Sequence, residues 1–251
     1  MKELFFYDPI CAVGSDELGN RTAETPAELL AELDYYGIDC ALVQYNNFAS
    51  AGALYGNERI REFIAADTSG RLSGVWCILP EQCHELPEDL FNVMKQNRIA
   101  ALTLNPFAHR WIPCKMTIGN IMAEAAERKV PILLNYYDRN WEETYRFVEM
   151  FPENRVIIHD TSRHGTDRLI RPLMETYPNV YYAISAHWVP EGIRHLADAC
   201  GSDRILYSSA YPLYNHGSMM LVLKHSTLPD EDIAKIAGGN MKRLIAEAWE
   251  K

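Results

Sequence analysis

Asp8, His159, Asp160 and His187 are the residues of this chain best suited to moving protons, and each lies at or just past the end of a short apolar run. A histidine beside carboxylates can serve as a general base near neutral pH, with a second histidine carrying the proton onward. Around them, further run ends bring polar and aromatic groups suited to holding a small molecule. These are Asn105, His109, Arg110 and Trp111; Asn135 and Tyr136; Arg163; Trp188; and Ser209. Arg110 and Arg163 could anchor a carboxylate or phosphate through charge-assisted hydrogen bonds. Trp111, Tyr136 and Trp188 supply flat apolar walls, an uncommon choice for an idle wet surface. Ser208-Ser209 suggests a nucleophile only superficially, because no G-x-S-x-G elbow surrounds it. His195, His216 and His225 read as surface residues on or beside helices.

The elements that must position these groups recur eight times. Apolar runs at Leu4–Asp8, Cys40–Gln44, Leu72–Leu79, Ile99–Asn105, Pro131–Tyr136, Arg155–Asp160, Val180–Ser185 and Arg204–Ser209 read as strands. They lack clean alternation, as parallel strands buried on both faces do. Amphipathic segments separate them. In the first, Thr25 is the expected N-cap, Pro26 opens the helix, Glu28 completes a capping box and Gly37 ends it. Others fall at Glu58–Ala66, Pro87–Gln96, Thr117–Arg128, Trp141–Phe151, Asp167–Tyr177 and Glu191–Cys200, with tail helices at Met219–His225 and Pro229–Trp249. Eight strand–helix units without a linker or composition shift predict a single (β/α)8 TIM barrel over residues 1–251, with extra C-terminal helices. An open doubly wound sheet would want a glycine-rich phosphate loop after the first strand, which is missing.

The closing segment carries a resemblance. Arg204-Ile205-Leu206-Tyr207-Ser208-Ser209-Ala210-Tyr211-Pro212, followed by the Leu228–Leu244 stretch, resembles the eighth strand and terminal helices of the amidohydrolase-related, metal-dependent hydrolases. That group includes the aminocarboxymuconate-semialdehyde decarboxylase type. The resemblance implies a TIM barrel, hydrolase or lyase chemistry, and a divalent metal such as zinc. It also implies donors at set positions. The D-x-H-x-H pattern falls on Asp8-Pro9-Ile10-Cys11-Ala12, so Ile10 and Ala12 stand where histidines would. Asn135 replaces the fifth-strand histidine and Ala210 the eighth-strand aspartate, while His159 and Asp160 compete for the sixth-strand place. Zinc wants about four donors, at least three from protein. No metal cofactor is therefore expected.

Three readings follow. The first is a metal-independent hydrolase or lyase, decarboxylase- or lactonase-like, acting on a small polar or carboxylate-bearing metabolite. The second is a catalytically silent barrel that binds a metabolite or a partner protein, and the third a zinc hydrolase with unusual ligands. Forty-eight percent hydrophobic residues furnish an ample core, and 24 basic against 34 acidic residues leave a net charge of −10. That balance argues against nucleic acid or an anionic membrane as partner, and leaves a homodimer open. Six scattered cysteines without a CxxC pair, and an N-terminus running straight into a strand, suit a cytoplasmic protein with reduced thiols.

Overall fold

The computed structural model describes residues 4–15, 22–135, 141–159 and 167–249. Eight strands alternate with helices in the order β1 (Tyr7–Val13), α1 (Pro26–Tyr36), β2 (Cys40–Tyr45), α2 (Phe48–Ala51), α3 (Ala53–Ala66), β3 (Leu72–Cys77), α4 (Leu90–Gln96), β4 (Ile99–Thr103), α5 (Lys115–Arg128), β5 (Ile132–Asn135), α6 (Trp141–Met150), β6 (Val156–His159), α7 (Asp167–Thr176), β7 (Val180–Ala183), α8 (Gly192–Cys200) and β8 (Ile205–Leu206). Three more helices follow: α9 (Gly217–Lys224), α10 (Asp230–Ala234) and α11 (Asn240–Trp249). Neighbouring strands pair in parallel from β1 through β8. A bridge between Cys11 and Tyr211 brings the last segment back to the first. This is the expected (β/α)8 barrel with C-terminal helices.

Two apolar layers hold it. Inside the barrel, Tyr7, Ile10, Leu42, Val75, Leu133, Ile157, Tyr181 and Leu206 form one cluster. Outside, the alternate strand residues meet the inward faces of the helices. Met241 and Leu244 of α11 join the inner cluster, and Trp249 Nε1 donates to the carbonyl of Ala100 at the start of β4 (3.0 Å). The last helix thus plugs the N-terminal end of the barrel and leaves the opposite end for chemistry. The capping box at Thr25 and Glu28 forms as expected, and Gly37 takes the left-handed conformation (φ 74°) that closes α1.

Several boundaries differ from the sequence reading. The first strand runs from Tyr7 to Val13 rather than ending at Asp8. Pro9 reads as a terminator because it has no N–H to give a ladder, yet here it sits in a register shift between Asp8 and Cys11. The Asp8 carboxylate accepts the Ile10 N–H (3.1 Å), which secures the irregular turn. The extra residue changes the phase, so that Tyr7 and Ile10, three apart, both join the inner cluster. Helix α3 starts five residues before Glu58, after Gly52 at φ 90°, and α4 begins at Leu90 instead of Pro87. The expected single helix from Pro229 to Trp249 is divided by a π-helical turn at Lys235–Gly239. There Gly238 packs so close to Phe5 that a Cβ would lie 2.6 Å from its carbonyl oxygen.

Closure depends on one carboxylate. Asp8 accepts from the Ile10 and Ser209 N–H groups (3.1 Å each), from Ser209 Oγ at short range, and from His216 Nδ1 (3.0 Å). All three side chains are buried. A buried charge deprived of partners is costly, and so are partners deprived of the charge. Asp8→Ala should therefore lose roughly 3–5 kcal/mol of stability. Urea unfolding followed by circular dichroism measures it, and a loss near zero would mean that the seam closes without the carboxylate.

Candidate active site

His159 is the last residue of β6, two positions beyond the inner-cluster residue Ile157. Strand alternation therefore turns His159 to the barrel interior. Its place in the ladder is fixed by pairing with Asn135 of β5 and Ala183 of β7. The residue is only 6% exposed, and its Nε2 has no hydrogen-bond partner among the described residues. Burial pushes its pKa down to about 4, against the opposing pull of the Asp8 charge. Above that pH the ring is neutral, with one nitrogen unused.

The other expected proton carriers are placed differently. Asp8 reaches His159 through its field, but its oxygens are engaged by Ser209, His216 and the Ile10 N–H. Ser209, expected to bind substrate, is spent on Asp8 and on the Tyr211 N–H (2.9 Å). His187 packs behind β7: its Nδ1 is 3.3 Å from the Tyr182 hydroxyl, and its Nε2 is 3.3 Å from Asp167 Oδ1, without hydrogen-bond geometry. Burial lowers its pKa, with Asp167 opposing. Because Tyr182 belongs to the outer layer, His187 and His159 lie on opposite sides of the barrel wall. Asp160, Tyr136 and Arg163 lie outside the described residues, as does the side chain of Asn135.

On the β3–β4 side, His109 Nε2 is 2.8 Å from the Phe48 carbonyl. A carbonyl only accepts, so Nε2 carries the proton and Nδ1 faces the Cys77 thiol at 4.0 Å. Asn105 Nδ2 donates to the same sulfur (3.7 Å). Burial pushes the Cys77 thiol up to about 12, so it stays protonated and inert. His109 and Asn105 are thus tied to the scaffold. Arg110 is exposed, Trp111 half-buried with no hydrogen-bond partner for its indole N–H among the described residues, and Trp188 is 41% exposed.

Sequence reasoning missed His216, read as a surface residue and here fully buried. It stacks on Tyr211 (ring centroids 4.7 Å apart, 12° between planes). Its partner Asp8 is 208 residues away, and its neighbours Asn215 and Gly217 read only as loop punctuation, so no local signal marks it. Also missed was the meeting of the Ser185 and Ser208 hydroxyls, which lie in buried contact at the ends of β7 and β8. His195 and His225 are exposed, as expected. All six cysteines are free thiols.

Parallel strands closed into a barrel, with polar groups at their C-terminal ends, define a barrel enzyme of the amidohydrolase-related type. The chain belongs to the amidohydrolase family, whose model matches residues 25–245. Solved structures share the fold. One is 2,6-dihydroxybenzoate decarboxylase from Rhizobium, with 14% identity, a TM-score of 0.72, and coverage of 98% of this chain and 99% of that one. Another is 5-carboxyvanillate decarboxylase from Sphingomonas paucimobilis, with 14% identity, a TM-score of 0.67, and coverage of 96% and 99%. A third, dihydroxybenzoic acid decarboxylase from Polaromonas sp. JS666, holds manganese and the inhibitor 2-nitroresorcinol; it has 16% identity, a TM-score of 0.71, and coverage of 98% and 97%. A comparison with curated proteins gives no match.

The donor set can be tested against a divalent metal of the kind the third structure holds. Ile10, Ala12 and Ala210 are buried and carry no donor atom, and the Asp8 lone pairs already accept four hydrogen bonds. Among the described residues, no group of three or more His, Cys, Asp or Glu side chains could hold an ion. These residues do not fit the metal.

The His159 shift makes a stability prediction. With a folded-state pKa of about 4 against 6.5 in the unfolded chain, the folded state binds the proton less well. The contribution is complete above pH 6.5 and is lost as pH falls from 6.5 towards 4, amounting to roughly 3 kcal/mol at most. Chemical denaturation of the parent and His159→Gln between pH 4 and 8 should show the variant losing less stability on acidification. Parallel curves would mean that His159 is not buried neutral.

Proposed function

We propose that this protein is a metal-independent lyase, decarboxylase-like, acting on a small carboxylate-bearing metabolite, with His159 as its proton carrier. The observation that carries this reading is the position of His159 on the inner side of β6, with a buried Nε2 that has no hydrogen-bond partner among the described residues. The Nε2 atoms of His187 and His216 are also unpartnered there, but His187 lies behind β7 and His216 is bound to Asp8. A polar atom left without a partner in a core costs energy, and a substrate that pairs with it recovers that cost. Family membership and the decarboxylases among the structural neighbours support the reaction class. The residue types favour it over hydrolysis. Hydrolysis needs an activated water, and the described donors offer no cation cluster to lower a water pKa. Loss of CO2 needs only a proton placed on the carbon that keeps the electron pair.

The sequence of events follows from charge. A substrate carboxylate brought beside His159 raises the ring's proton affinity, so one proton enters with the anion. As the bond to CO2 breaks, its electron pair stays on carbon and takes the proton from His159. The net change is RCOO⁻ plus H⁺ to RH plus CO2. Asp8, held at the seam, contributes a fixed negative field that also favours the protonated ring. At the rim, exposed Arg110 is available to attract an anion, and we assign the same role to Arg163.

A panel of small aromatic and unsaturated carboxylates, assayed for CO2 release after chelator treatment with metal content measured in parallel, tests this reading. Activity should persist below one equivalent of zinc, manganese or iron. His159→Gln should lower kcat by about 10²–10⁴-fold with little change in KM. In the parent, kcat/KM should fall about tenfold per pH unit above pH 5, because free His159 must be protonated and its pKa is about 4. Activity that follows metal content would overturn the metal-independent mechanism. Ligand binding without any turnover would favour a silent barrel.

A further inference from the structure

Ala210 has a backbone φ of +56°, in the left-handed region. Glycine enters that region freely, and asparagine and aspartate do so with local hydrogen bonds; alanine has neither advantage and is strained there. The turn itself is firm: the Ala210 carbonyl accepts the Leu213 N–H (2.9 Å). The chain therefore keeps a backbone suited to Gly, Asn or Asp while placing a bare methyl on it. Strain retained at the mouth of a site points to a use for the strained residue.

The surroundings show what that use is. The Ala210 methyl belongs to the inner cluster with Ile10 and Ala183. The adjoining Tyr211 carbonyl accepts the Ala12 N–H (2.9 Å), which ties the Ala210 segment across the seam to β1. Tyr214 packs against this cluster and meets Trp188 edge to face, with centroids 6.4 Å apart at 90°. Apolar contacts thus run from Ile10 and Ala210, both buried in the inner cluster, through Tyr214 to the partly exposed Trp188. We propose that this side of the mouth, where the family's donor residues would hold an ion, is here an apolar seat for the hydrocarbon part of the ligand. Ala210 is retained because its methyl completes that seat without adding a polar atom. The proposal rests on the preceding reading only in taking the ligand's charged end to be a carboxylate directed to His159.

Binding measurements on the full chain, independent of turnover, test it. The probes are acetate, butyrate, benzoate and the uncharged benzyl alcohol, titrated by calorimetry against the parent, Ala210→Gly and Ala210→Asn. In the parent, affinity should rise about threefold to fourfold for each buried methylene, with benzoate at least tenfold tighter than acetate. Both variants relieve the left-handed strain, so their melting temperatures should match or exceed the parent's. Ala210→Asn should nevertheless lose most of the benzoate-over-acetate advantage, while acetate itself binds unchanged. An unchanged ratio in Ala210→Asn would overturn the seat, as would a marked fall in melting temperature for both variants. Benzyl alcohol binding that depends on Ala210, with no carboxylate binding at all, would uphold the seat and overturn the carboxylate reading. Failure of every probe to bind the parent would overturn both.

Discussion

The charge of Asp8 has to be held where the barrel closes, and much of the mouth follows from how that is done. Strand β8 pairs with β7 over only Ile205 and Leu206, and its return to β1 rests on a single bridge. A two-residue strand is a weak anchor for a cylinder that must lose its last open edge. The Asp8 carboxylate supplies the rest, taking hydrogen bonds from its own strand, from Ser209 and from His216. Because a carboxylate can only accept, His216 must present its Nδ1 proton, and its ring orientation is thereby set. The stack on Tyr211 and the hydrogen bond from the Tyr207 hydroxyl to the His216 carbonyl (2.7 Å) then hold the loop after β8.

That arrangement has a chemical consequence. A carboxylate saturated by four donors has no lone pair well placed for substrate or ion, so Asp8 influences the mouth by its field alone. The neighbouring positions Ile10 and Ala210 are apolar, and among the described residues the buried Nε2 atoms of His159, His187 and His216 have no hydrogen-bond partner. The same seam that closes the fold therefore occupies the Asp8 carboxylate.

The periodic parts of this architecture were legible in the sequence, because strand and helix periods are local properties. The capping box at Thr25 and Glu28 and the glycine stop at Gly37 lie within a few residues of what they cap, and they formed as read. The extent of β1 was hidden because Pro9 looks like a terminator unless the bulge around it is known. The roles of Asp8 and Ser209 were hidden for another reason: their contact spans 201 residues, and no spacing rule reaches that far. Either residue alone reads as a polar strand end available to a ligand. Only their juxtaposition shows that each satisfies the other. For His159 the sequence left the choice between it and Asp160 open; the inward place of Ile157, two residues before, is what turns His159 to the interior.

Two buried histidines show why burial alone does not mark a functional group. Both His159 and His187 are shielded from solvent, and burial lowers the pKa of each. His187, however, is built into its place: the Tyr182 hydroxyl faces one ring nitrogen, Asp167 lies beside the other, and Gly192 is accommodated only because it has no Cβ, which would lie 2.5 Å from Nε2. Its surroundings are shaped to the ring, behind the wall of the barrel. His159 stands on the inner side of that wall, and among the described residues no group is hydrogen-bonded to its Nε2. The two histidines thus differ in which side of the strand they occupy, while burial and an Nε2 without a hydrogen bond are common to both.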